Sequence, residues 1–216
     1  MIAALYVQTN GCYFGLPDVD PWDEPRDARK YDGPWPVVAH PPCERWGRYW
    51  SGGPSAKVRR AKGDDGGCFA AALASVRKWS GVLEHPEASH AFEAFGIGRP
   101  VHSGGWERAE DGIGHMCCVE QGHYGHLARK KTWLYAVGFS GYDTDGLPKL
   151  PYLTQGQSSG VRLDEGFHSK AERVAARARG AKPIKRLSTA QNLASPPAFR
   201  DVLIAMAESV NARRAA

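Results

Sequence analysis

Val37-Val38-Ala39-His40-Pro41-Pro42-Cys43 decides how this chain is read. With Trp35 and Pro36 before it, the run forms a short apolar stretch that predicts a buried strand. The two prolines cut the strand off. Each fixes its own φ and withholds an N–H donor, so the turn holds one geometry and presents the next residue, Cys43, on a firm mount. A nucleophilic thiol needs such a mount together with a lowered pKa. Arg45 and Arg48 follow closely and are expected to supply positive charge. The competing interpretation is a buried structural cysteine beside an ordinary turn, because free cysteines are commonly buried.

Working outward, short apolar runs alternate with helical patterns. Strands are predicted over residues 2–7, 35–40, 81–84, 116–121 and 131–138. Cys68 to Trp79 (CFAAALASVRKW) is the clearest helix, Ala-rich with one apolar face, with Asp64 or Asp65 placed to cap it. Shorter helices are expected over 24–31 and 89–95, a basic one over 169–181, and a final amphipathic helix over 198–210 behind Pro196-Pro197. Residues 8–23 and 97–114 have loop composition, and residues 44–66 read as a mobile basic loop. Strands alternating with helices predict an α/β layered fold with a mostly parallel sheet, in which ligands bind beyond the carboxyl ends of strands.

Composition sets wide bounds. The 216 residues suffice for one sizeable domain, and 42% apolar with 24% charged is ordinary for a globular protein. A net charge of +5 permits a nucleic-acid partner without requiring one. The five cysteines include an adjacent pair, Cys117-Cys118, and form no spaced disulfide framework. The first residues lack the features of a signal peptide, and no apolar run approaches the ~20 residues of a membrane span, so a reducing cytoplasm is the expected compartment.

Two further motifs carry chemistry. Gly81-Val82-Leu83-Glu84-His85-Pro86 ends a buried strand on a carboxylate, whose apolar setting would raise its pKa toward that of a proton donor; a capping or surface glutamate is the alternative. Cys118 to Tyr135 runs through Gln121, Tyr124-Gly125 and Ala128-Arg129-Lys130-Lys131-Thr132 into an apolar strand. Three consecutive cations beside aromatics can hold a phosphate and a base, or else form a solvated charge run. His115, Cys117, Cys118, His123 and His126 raise the possibility of zinc, but the adjacent cysteines would point to opposite faces of a strand and no Cys-x-x-Cys is present. The expectation is therefore no metal.

Taken in order, Pro41-Pro42-Cys43, then Glu84-His85-Pro86, then Tyr124-Gly125 with Arg129-Lys130-Lys131-Thr132 resemble the motifs of DNA cytosine-C5 methyltransferases. The likeness is to small members found in bacteriophages and prophages and covers residues 1–138. It implies a Rossmann-like methyltransferase fold with a truncated cofactor loop. It implies that Cys43 adds to carbon 6 of a pyrimidine while Glu84 hydrogen-bonds the ring. Pro41, Pro42, Arg45, Arg48, Gln121, Tyr124, Arg129, Lys130 and Thr132 would hold the substrate, which is DNA, or else a free pyrimidine nucleotide.

S-adenosylmethionine would be the donor, with Asn10, Gly11, Asp18, Asp20 and Asn192 as the residues nearest to the family's cofactor motifs. The chain departs from the pattern where His85 stands for the usual Asn and where the first loop has almost no following helix. The family's Gln-x-Arg-x-Arg is here Ala128-Arg129-Lys130-Lys131-Thr132, and lysine does not replace arginine where a planar fork is used. The organisation expected is an α/β domain over 1–138, a small irregular basic segment over 139–187, and a C-terminal helix over 188–216 packing back on the domain. So small a recognition segment points to a protein partner for target reading or to a nucleotide-level enzyme using another one-carbon donor, and the missing glycine loop points to a non-catalytic binder of DNA or a partner protein with a degenerate fold.

Overall fold

Short strands, two of them with every residue buried, organise the molecule. The computed structural model describes residues 1–47, 49–52, 57–101, 105–139, 153–154, 156–159, 174–175, 178–180 and 187–214. Seven strands make one sheet: β1 (Ile2–Leu5), β2 (Val19–Trp22), β3 (Val37–Ala39), β4 (Gly81–Pro86), β5 (Glu107–Arg108), β6 (His115–Glu120) and β7 (Lys131–Val137), in the order β2-β1-β3-β4-β7-β6-β5. The helices are α1 (Cys68–Trp79), α2 (His90–Ala94), α3 (Thr189–Leu193) and α4 (Pro197–Arg214).

Alternation along the strands creates two cores. Ala3, Leu5, Val37, Ala39, Leu83 and Tyr135 face one side and pack against Phe69, Leu73 and Val76 of α1 and Phe92 of α2. Ile2, Ala4, Val38, Val82, Leu134 and Ala136 face the other side and meet Phe199, Leu203, Met206 and Ala207 of α4. A sheet covered on both faces defines an α/β architecture compatible with a Rossmann-like fold. Gly81 is required at the start of β4: it sits at φ 122°, and a side chain there would run into the Val37 backbone.

The sheet is more mixed than the sequence suggested. β1 pairs in parallel with β2 and β3, and β3 with β4. β7 then enters antiparallel between β4 and β6, and β5 is antiparallel to β6. The reason is local, since only residues 121–130 join β6 to β7, too few for a crossover and enough for a hairpin. Four further expectations change. Residues 97–114, expected as loop, contain β5, which is held by its pairing with β6. Residues 8–23 contain β2, whose Pro21 is tolerated because β2 is an edge strand. The helix expected over 24–31 is only a 3₁₀ turn, Ala28–Lys30. The loop expected to be mobile over 44–66 is anchored by Trp46, which is buried against Phe69 and Phe95 and donates to Asp65 Oδ2 at 2.8 Å. Asp65 also accepts from Phe69 N at 2.9 Å, which gives α1 its cap.

Of the segment 139–187, most lies outside the described residues, as does most of the helix expected over 169–181. Residues 153–154 and 156–159 contribute a dock on the β6–β7 hairpin: Thr154 N donates to Tyr124 OH at 3.0 Å, Ser158 N donates to Glu120 Oε2 at 2.6 Å, and Leu153 is buried. Among the described residues no helix is long and apolar enough to cross a membrane.

Candidate active site

The strand pairing brings the three motifs to one edge. β1, β2, β3, β4 and β6 all end there, and β7 begins there, with Thr132 paired to Pro86 and Lys131 to Glu120. Ala39 is level with Leu83 in the parallel pair β3–β4, so the next residues, His40 and Glu84, emerge side by side. His40 Nδ1 lies 2.9 Å from Glu84 Oε2, with both side chains largely buried. On the other side of Glu84, Gln121 Nε2 donates to Oε1 at 3.3 Å and to Thr132 Oγ1 at 2.9 Å. Thr132 Oγ1 in turn donates to the Lys130 carbonyl at 3.1 Å.

Lys130 occupies an unusual position. Its φ of 39° is left-handed, a conformation that costs a non-glycine residue about 1–3 kcal/mol and survives only where neighbours hold it. Its carbonyl accepts from Gln121 N at 3.2 Å, and its ammonium donates to the carbonyls of Ala194 at 3.0 Å and Leu193 at 3.3 Å, just beyond α3. The ammonium also lies within electrostatic reach of both Glu84 and Cys43.

These three groups set one another's ionisation. Burial pushes the Glu84 carboxyl up, but the hydrogen bond from His40 and the charges of His40 and Lys130 outweigh it, so the group sits below its ordinary value. The sequence expectation of a raised carboxyl is thereby reversed. Burial lowers Lys130, and the charges of Glu84 and Cys43 only partly restore it. Burial and then the charge of Glu84 push the Cys43 thiol up, against the smaller help of its own backbone N–H and Lys130. The expected lowering by nearby arginines therefore does not operate. Arg45 instead donates to the Trp50 carbonyl at 3.2 Å and closes its own loop, and Arg48 lies outside the described residues.

Other expected site residues fall in different places. Pro41 and Pro42 form the turn into Cys43, with Pro41 buried and Pro42 exposed. Arg129 meets the side-chain oxygen of Gln157, and Tyr124 packs its ring against Phe199 of α4, 5.3 Å between centroids. Asn192 is half-buried on α3, near the segment that holds Lys130. Cys117 and Cys118 face opposite sides of β6, and among the described residues no three His, Cys, Asp or Glu side chains group as a metal site.

The cofactor residues do not assemble a cradle. Asn10 is exposed at φ 56°, and Gly11 closes a tight turn on the Gln8 carbonyl at 2.8 Å. Asp18 precedes β2 and lies at the opposite edge of the sheet from Cys43, where its carbonyl accepts from Ile2 N at 2.8 Å. Asp20 is committed to Arg26 at 2.6 Å and to Trp22 Nε1 at 2.8 Å. The acid that does stand at the carboxyl end of β2 is Asp23, which the sequence reading passed over; it is buried and accepts from Thr9 Oγ1 at 2.8 Å. The loop itself is closed: Tyr13 is buried, and Arg200 of α4 donates to the Cys12 carbonyl at 2.7 Å. These residues do not fit an adenosyl donor held in the manner the resemblance implies.

Sequence reasoning also missed His40 and Tyr13. Tyr13 OH lies 2.8 Å from His40 Nε2. The available signal was a polar residue ending an apolar strand one position before a rigid turn. No protein-family model matches the chain, and a search of curated proteins finds no relative.

Proposed function

We propose that this protein modifies a pyrimidine, cytosine in DNA, at carbon 5 through a covalent adduct on Cys43. The observation that carries the reading is the meeting of Cys43, Glu84 and Lys130, from three separate motifs, at the carboxyl edge of the sheet. The Cys43 thiolate adds to carbon 6. Glu84, positioned by His40 and Gln121, faces the ring nitrogen and exocyclic amine, where addition places negative charge that a proton passed through Glu84 neutralises. Lys130 offsets the negative charge of the thiolate before it attacks. Carbon 5, made nucleophilic, then attacks a one-carbon electrophile, and loss of the C5 proton with departure of the thiolate restores the aromatic ring. A base within a duplex must leave the stack to reach so enclosed a thiol.

Digesting DNA from cells that express the protein and weighing its nucleosides tests this reading. A new cytosine-derived mass, absent with Cys43→Ala, is the expected result, and its increment identifies the group transferred. An unchanged nucleoside profile removes DNA modification in cells.

One observation favours a second reading, that of a non-catalytic binder of degenerate fold. The resting thiol is raised rather than activated, and the loop after β1 is closed. A binder keeps its affinity for DNA when Cys43 is replaced by Ala and shows no base chemistry with any donor.

A further inference from the structure

The hydrogen bonds around Glu84 form a single line across the edge of the sheet. Tyr13 OH lies 2.8 Å from His40 Nε2, and His40 Nδ1 lies 2.9 Å from Glu84 Oε2. An ionised carboxylate only accepts, so Nδ1 carries a proton and donates it. The groups facing Glu84 are His40 from the turn after β3, Lys130 from the start of β7, Cys43, and His85 on its own strand. Of these only His40 is hydrogen-bonded to the carboxylate. Tyr13, on the far side of the imidazole, is faced by Cys12, Glu84, Arg200 and Asp201.

Addition of a thiolate at carbon 6 of cytosine needs a proton at ring nitrogen 3, and an ionised Glu84 has none to give. Imidazole is the side chain that ordinarily gains and loses a proton near neutral pH. We propose that Tyr13, His40 and Glu84 form a proton relay in which His40 passes its Nδ1 proton to Glu84, and Glu84 delivers a proton to nitrogen 3 of the bound pyrimidine. This rests on the pyrimidine reading above.

The step balances. The thiol proton has already left to water. The thiolate pair forms the S–C6 bond, the C5=C6 pair becomes C4=C5, and the former C4=N3 pair takes the proton. His40 passes from imidazolium to the neutral Nε2–H form, which the Tyr13 oxygen holds by accepting its hydrogen bond. Reversal returns each proton. His40 acts through Glu84 and is a positioning residue, and Tyr13 fixes its tautomer.

The test uses the first half of the chemistry alone. In D₂O, reversible addition at carbon 6 exchanges the C5 hydrogen of cytosine for deuterium, with no donor present. The full-length protein is given a cytosine-containing single-stranded oligodeoxynucleotide or, separately, deoxycytidine monophosphate, and nucleoside masses are followed across pH. The relay predicts exchange whose pH profile has an alkaline limb that depends on the His40 imidazole. With His40→Gln the rate drops ~100-fold, KM changes little, and the alkaline fall disappears. Tyr13→Phe, which keeps the buried ring, drops ~3–10-fold and shifts the alkaline limb, and it carries the test if His40→Gln does not fold. A folded His40→Gln, or Tyr13→Phe in its place, with the wild-type rate and pH profile overturns the relay and leaves the pyrimidine reading standing. Wild-type protein that exchanges neither substrate overturns both.

Discussion

At the carboxyl edge, β3, β4 and β7 turn polar side chains toward one another, whereas β1 and β2 close over their own loop. Cys43, Glu84, Gln121, Lys130 and Thr132 converge in the first half, with Glu84 approached by donors on both oxygens. In the second half the loop is filled by the Tyr13 ring, whose hydroxyl alone reaches across to His40; the loop is tied to α4 through Arg200, and the nearby acids are held by Arg26, Trp22 and Thr9. One edge of one sheet therefore holds a region where polar side chains converge and a region filled by its own loop. The difference shows that polar side chains gather at the β3–β4–β7 part of the edge, whereas the β1–β2 loop is occupied by the protein's own residues.

The largest effect expected is on chemistry. Cys43→Ala should remove base modification by ~10⁴-fold or more while leaving the fold intact, as judged by thermal unfolding. Glu84→Gln should cost ~10²–10⁴-fold in the same assay. Its effect on the thiol runs the other way. Glu84 holds the Cys43 thiol up, so removing its charge should speed alkylation of Cys43 by iodoacetamide near neutral pH several-fold, about tenfold for one pKa unit. Lys130→Met should slow alkylation, since the ammonium favours the thiolate. Equal alkylation rates in all three proteins would mean that the groups do not share a site.

A smaller effect separates the polar half from the core beneath it. His85 is fully buried beside the Pro42 backbone, and burial holds its pKa down to about 4 from 6.5. Between those values the unfolded chain binds the extra proton, so stability is complete above pH 6.5 and declines as pH falls toward 4. The shift corresponds to about 3 kcal/mol. Chemical denaturation across that range should show the decline in wild type and a clearly smaller one in His85→Leu, where His115 and His126, also lowered by burial, still contribute. Glu84, whose folded pKa is lowered, adds stability above its unfolded value that disappears only in stronger acid.

The smallest effect lies in the sealed half. Asp20→Asn loosens a partly exposed ion pair on an edge strand and should cost ~0–1 kcal/mol. It should leave C5 exchange unaltered, because Asp20 lies apart from the Cys43 cluster. A loss of exchange there would join the two halves into one site and break the comparison.

The sequence disclosed the half that depends on short local patterns. The apolar run into Pro41-Pro42-Cys43, the apolar run into Glu84, and α1 from Cys68 to Trp79 are each written in consecutive residues. What escaped was set by pairing. β2 hid behind Pro21 and Asp20, acceptable only because nothing pairs on its outer side. The antiparallel entry of β7 follows from hairpin length rather than strand composition. His40 looked like the last residue of a strand, and only the Ala39–Leu83 register sets it against Glu84. The pKa of Glu84 was misjudged for the same reason, since burial was legible and the partner opposing it was not.

The central claim is that Cys43 attacks a pyrimidine at carbon 6. Deuterium exchange at carbon 5 of cytosine by purified protein in D₂O tests it most directly, because no donor is required. The account predicts exchange catalysed by the wild type and reduced to background by Cys43→Ala. Exchange that persists in Cys43→Ala, or none by the wild type on either oligonucleotide or nucleotide, would contradict it.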